Sequence, residues 1–128
     1  MNGLANPATA SLKGEFMNEL NYASLEASKK LHEAGIVLET EAHWIRVANS
    51  PMMLVENRYG ADEHYPAPCF TDVWRELPAK IGADHILEIY KEYGFTKAQY
   101  WGLDLYGYSK NPTDALIDLL VWLKGEGK

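Results

Sequence analysis

The sequence predicts an α+β fold: an antiparallel sheet of about four strands, made from two hairpins, with about three helices in the order α-β-β-α-β-β-α. Three observations carry this. The stretches Glu39 to Val47 and Gln99 to Tyr108 alternate with a period of two, as half-buried strands do. Each has an apolar neighbour across a turn signal, Asn49-Ser50-Pro51 in one case and Gly94 to Lys97 in the other. Capped apolar stripes at either end read as helices that cover one face of the sheet.

Residues 1–20 read as a flexible N-terminal extension ahead of one α+β domain over 21–128. Asn6 to Ser11 are small or turn-prone, and the apolar residues there have no period. Ser24 is a natural N-cap for a helix over 25–34. Glu26 near its start and Lys29-Lys30 in its later turns suit the helix dipole, and Gly35 stops it. Leu25, Ser28, Leu31 and Ala34 are expected on its inner side.

In the first strand His43, Ile45 and Val47 share one face, and Ala42, Trp44 and Arg46 the other. Met52 to Glu56 reads as its partner. Tyr59 to Pro68 is expected to be irregular, with Tyr65-Pro66-Ala67-Pro68 an extended loop, because proline has no N–H to give a ladder. Thr71 is expected to cap a short helix carrying Val73, Trp74 and Leu77, with Pro78 too late to lie inside it.

Residues 84–93 fit two patterns: a helical stripe from Asp84 to Gly94, or a strand paired with the next segment. The alternation of Trp101, Leu103 and Leu105 with Tyr100, Gly102, Asp104 and Tyr106 makes a strand that wants a partner, which favours the hairpin. At the end, Asn111 is the N-cap, Pro112 takes N1, and Asp114 sits at N3 of a helix over 112–124. Leu116, Leu119, Leu120 and Leu123 form its buried stripe, and Gly125 is its expected stop.

The chain has 128 residues and a formal charge of −6, from 12 basic and 18 acidic residues. Nucleic-acid binding draws its affinity from lysines and arginines on phosphates, so this balance argues against it. The basic residues do not cluster, Lys29-Lys30 being the one adjacent pair. With one cysteine, Cys69, no internal disulfide forms, which suits a reducing compartment. No run approaches the ~18 apolar residues of a membrane span, and the first residues lack the basic-then-apolar build of a secretory leader. The expectation is a cytoplasmic chain away from membranes.

Three blocks resemble small uncharacterised proteins of bacteriophages and prophages. Ser24-Leu25-Glu26, Ser28-Lys29-Lys30-Leu31 and Gly35 are similar to their SLExSKKLxExG start. Phe70-Thr71 through Leu77-Pro78, behind the Tyr65 to Pro68 segment, resembles their central FTxxxxxLP block. Asn111-Pro112, Asp114-Ala115-Leu116, Leu119 and Trp122-Leu123 resemble their closing NPxDALxxLxxWL helix. Together the blocks cover roughly residues 24–124. The resemblance implies a phage or prophage accessory setting, which would place the chain in the host cytoplasm; it carries no catalytic residue and no cofactor.

Candidate chemistry is thin. Glu39, Glu41 and His43, at i, i+2 and i+4, would share a strand face and offer ligands to a divalent metal, but no second cluster completes the set. Asp62, Glu63 and His64 stand in the expected loop, with His64 a candidate acid–base group; His32 and His85 offer less. Cys69 between Pro68 and Phe70 lacks the surroundings of a nucleophile, and a free cysteine is usually core. A small metal-binding protein or enzyme using 59–70 is therefore the alternative reading, without a catalytic, metal or cofactor residue to name.

The unusual feature is aromatic. Four tryptophans, eight tyrosines and three phenylalanines exceed what one small core hides. Tyr59, Tyr65, Tyr100, Tyr106 and Tyr108 are the candidates to reach the surface, where such rings anchor protein interfaces. The expected partner is an unknown host or phage protein; self-association as a homo-oligomer is the third reading.

Overall fold

The computed structural model describes residues 18–56 and 61–127, and shows three helices with two antiparallel sheets. The helices are α1 (Leu25–Glu33), α2 (Phe70–Glu76) and α3 (Pro112–Trp122). The first sheet is ordered β2-β1-β3, from β1 (Ala42–Arg46), β2 (Met53–Val55) and β3 (Glu63–Ala67). The second is ordered β4-β5-β6-β7, from β4 (Lys80–Ile81), β5 (His85–Glu92), β6 (Phe95–Tyr100) and β7 (Tyr106–Ser109). The α+β class, three helices and both expected hairpins are present; the single sheet of about four strands is instead two sheets.

Local chemistry accounts for most elements. Ser24 Oγ accepts the N–H of Ala27 and starts α1, and Gly35 ends it with a positive φ of 74°. The buried side of α1 is Ala27, Ser28 and Leu31; Ala34 is exposed, so the inner stripe is rotated from the expected one. Asn111 Oδ1 accepts from Thr113 and Asp114 and starts α3 as its sequence predicts. Beyond Trp122 the chain winds on as a π turn over Leu123–Gly127, so Gly125 lies within that last turn and does not stop it.

Three further expectations are corrected. Tyr65-Pro66-Ala67 is not loop but the second half of β3, with Pro66 opposite His43. β3 is an edge strand, where proline's missing N–H breaks no ladder. Cys69, not Thr71, caps α2, with Asp72 Oδ2 accepting the Cys69 N–H at 3.1 Å. The strand expected over 99–108 is two strands, parted by a reversal over residues 101–105 in which Gly102 takes φ 85°.

Residues 84–93 are strand: β5 pairs with β6 from Leu87↔Tyr100 to Glu92↔Phe95. The turn is the two residues Tyr93 and Gly94, both at positive φ (52° and 82°), the backbone a tight hairpin needs.

The main core lies between the inner face of the four-stranded sheet and the helices. Ala98 and Tyr100 from β6 meet Leu116, Leu119 and Leu120 of α3, Leu31 of α1 and Val73 of α2. Each fully buried leucine of α3 contributes about 1.5–3 kcal/mol. A second cluster, Tyr22, Ala42, Trp44, Leu54 and Ala67, underlies the three-stranded sheet. Residues 22–24 join the two regions. The Trp44 indole N–H donates to Ala23 O at 2.9 Å, Ala23 N–H to Pro68 O at 2.8 Å, and Ser24 N–H to Asp114 Oδ1 at 2.8 Å.

Of residues 1–20, expected to be a flexible extension, 1–17 lie outside the described residues; Glu19–Asn21 form one 3-10 turn that leads into Tyr22. No helix among the described residues is long and apolar enough to cross a membrane.

Candidate docking face

Because α3 covers one side of the four-stranded sheet, the alternation of β5, β6 and β7 sends every second side chain to the other side. Register decides which. Tyr90 faces Lys97, and Lys97 faces Tyr108; Glu88 faces Gln99, and Gln99 faces Tyr106. Residues opposite one another in a ladder point the same way. The outer face is therefore a grid of four rows across the strands: Lys80, Ile86 and Trp101; Glu88, Gln99 and Tyr106; Tyr90, Lys97 and Tyr108; Glu92, Phe95 and Lys110. Trp101 sits one residue past β6 and keeps the alternation, its N–H bonded to Ile86 O at 2.8 Å.

This face holds most of the exposed large apolar side chains of the described residues. Ile86, Tyr90, Trp101, Tyr106 and Tyr108 are each between 39% and 59% exposed. Three of the rings on this face touch. Phe95 and Tyr108 stack with centroids 4.7 Å apart, and Tyr106 meets Tyr108 edge-on at 6.3 Å. The Lys97 ammonium lies 4.4 Å from the Tyr106 ring centre, and that of Lys110 lies 5.8 Å from the Phe95 ring centre. Gln99 Nε2 donates to Glu88 Oε1 across the strands at 3.1 Å. With three lysines and two glutamates the face runs slightly positive, on a chain of charge −6.

The five tyrosines expected at the surface divide. Tyr106 and Tyr108 stand together on this face. Tyr100 is 1% exposed, on the inner side of β6, where its hydroxyl donates to Pro78 O at 2.7 Å; it is core and belongs to no docking face. Burial pushes its pKa up to about 12. Tyr65 lies on β3 in the other sheet, half-buried, its hydroxyl donating to Glu63 Oε2 and its ring edge-on to His32 at 5.4 Å. Tyr59 is outside the described residues. The residues not singled out from the sequence are Ile86, Tyr90, Phe95, Lys97 and Trp101. Knowing that Tyr93-Gly94 is the turn would have revealed them, because the turn sets the pairing.

The other candidate groups are drawn into local structure. β1 begins only at Ala42, so its alternation does not reach Glu39 and Glu41; Glu41 accepts the Tyr22 hydroxyl at 2.7 Å. Burial first, then that bond, raises the Tyr22 pKa. Asp62 Oδ2 accepts from the Ala48 N–H at 2.6 Å and holds the β1–β2 loop, where Ala48 takes φ 54°. Glu63 pairs with Arg46. These residues border an open 680 Å³ hollow with Asn49 and Ser50, but both of its carboxylates are already engaged. His43 and His64 lie beside each other, ring centres 5.6 Å apart. Cys69 packs on the Tyr22–Trp44 cluster. Among the described residues no three His, Cys, Asp or Glu side chains gather as metal ligands do.

No protein-family model, curated protein or solved structure matches this chain.

Proposed function

We propose that the chain is a non-enzymatic protein-binding module that docks another protein on the outer face of its four-stranded sheet. One observation carries the reading: the exposed rings of Tyr90, Trp101, Tyr106 and Tyr108 and the half-buried ring of Phe95 lie on one side of a sheet whose other side packs on α3 through β6 and β7. A rigid sheet presents them at little entropic cost, and tyrosine and tryptophan are enriched at interface centres, which a polar rim surrounds. A scatter of surface tyrosines would need no such explanation. The likeness of three sequence blocks to phage and prophage proteins supports an accessory role inside a host, with a host or phage protein as partner; modulating a host or defence factor is one such role.

The test is a photoreactive amino acid placed at Tyr106, with a control at Glu33 on the exposed side of α1, activated in the cells that express the chain. The expected result is a small set of discrete protein adducts from position 106, missing at position 33 and lost when Tyr108→Ser is added. Identical adducts from both positions, or adducts to nucleic acid in place of protein, would overturn the proposal. An interface ring removed to alanine often costs about 2 kcal/mol, so Tyr108→Ala should weaken binding by about thirtyfold.

A further inference from the structure

Beside the face lies an edge. The second sheet ends at β7, and an edge strand offers backbone N–H and C=O groups to whatever strand comes alongside. We infer that a partner adds an extended acidic and apolar segment along β7 as a fifth strand; this rests on the docking-face reading and specifies how the partner attaches.

The four sheet edges differ in how well they are guarded. β4 has two residues and β2 three, too short to template a strand, and β3 carries Pro66. Among the described residues, β7 is the longest edge strand without proline or charge. It runs four residues without proline or charge, in unbroken register from Gln99↔Tyr106 to Thr96↔Ser109, so no bulge twists it away. It is also held from beneath by α3, which lies directly on Gly107. An added strand would therefore meet a rigid edge, and its alternate side chains would fall beside Tyr106 and Tyr108 on the outer face.

Charge decides what those side chains are. The outer positions of β6 and β7 are Phe95, Lys97, Gln99, Tyr106 and Tyr108, with Lys110 next to Phe95: two lysines and no carboxylate. Glu88 and Glu92 stand on β5, and Asp104 precedes β7 in the reversal. The rings favour valine- or leucine-like groups, and Lys97 and Lys110 favour aspartate or glutamate between them. A second copy of this chain is a poor occupant, because its own β7 edge brings the same lysines against Lys97 and Lys110.

The experiment uses the whole chain, labelled with nitrogen-15, and an eight-residue peptide whose alternate positions, those sharing one strand face, read valine, aspartate, leucine and aspartate, with threonine at the positions between. The expected result is saturable shift changes at Tyr106 to Ser109, slowed hydrogen exchange of β7 amides, and about tenfold weaker binding of the peptide with lysine in place of aspartate. Lys97→Glu should reverse that preference. Peptide binding that moves the rings but leaves β7 exchange unchanged overturns strand addition and leaves face docking standing. Preference for oligothymidylate over the peptide overturns both. Protection of β7 that grows with protein concentration alone, or no binding by the peptide at all, overturns the inference.

Discussion

A Cβ on Gly107 would stand 1.9 Å from the carbonyl oxygen of Ala115, so β7 and α3 meet backbone against backbone. Nothing flexible can yield there, because both atoms belong to secondary structure. Gly107→Ala is expected to destabilise the fold by about 1–3 kcal/mol through overpacking, read as a lower urea midpoint. An unchanged midpoint would mean that α3 sits farther from the sheet. The same contact explains why Tyr106 and Tyr108 point outward: the inner side of β7 has no room.

Asn111 does two jobs that one substitution can separate. Its Oδ1 caps α3, and its Nδ2 donates to Tyr22 O at 2.8 Å, tying α3 to the chain entering α1. Asn111→Asp keeps the cap and loses the donor, and should cost about 1 kcal/mol. Asn111→Ala loses both and should cost about 2 kcal/mol. Equal midpoints for the two variants in urea would show that only the donor bond counts.

Tyr93 is 92% exposed and held at φ 52° in the β5–β6 turn. A bulky side chain in that region costs on the order of 1 kcal/mol, and asparagine tolerates it better. Tyr93→Asn should therefore raise the melting temperature. A lower one would reveal packing by the Tyr93 ring that outweighs its backbone strain.

Alkali should expose the buried phenols. Tyr100 has its pKa pushed up to about 12 by burial, from an ordinary 10.0, and Tyr22 is raised too. Below the ordinary value both folded and unfolded chains keep the proton, and the stabilising effect is complete. Between that value and about 12 the unfolded chain releases it first, so stability falls as pH rises. Denaturation followed from about pH 9 to 11.5 should show this slope, and Tyr100→Phe should flatten it. A slope unaltered by that change would place the titration elsewhere.

The N-termini of α1 and α3 were legible because their signals are local, whereas the cap of α2 fell on Cys69 instead of Thr71 and Gly125 did not end the last helix. Asn111, Pro112 and Asp114 satisfy the first turn of α3 from within four residues, and Ser24 does so for α1. Strand identity in 84–108 was legible from alternation and from Gly94. Face assignment was not. Tyr100, Tyr106 and Tyr108 share a parity and would lie together on one unbroken strand. The reversal at 101–105 instead pairs Gln99 with Tyr106, an odd residue with an even one, so Tyr100 goes inside while the other two go out. The Pro66 strand was hidden for a similar reason, since only a sheet edge makes that proline acceptable.

By itself the sequence determined the α+β class, the N-caps of α1 and α3 and the surplus of rings, because capping, periodicity and composition act within a few residues. Only the tertiary structure decided which rings share a surface, that β7 ends its sheet, and that the acidic chain turns a lysine-bearing face outward. Those facts depend on strand pairing between residues distant in the chain, and a shift of one residue in register exchanges the buried side for the exposed one.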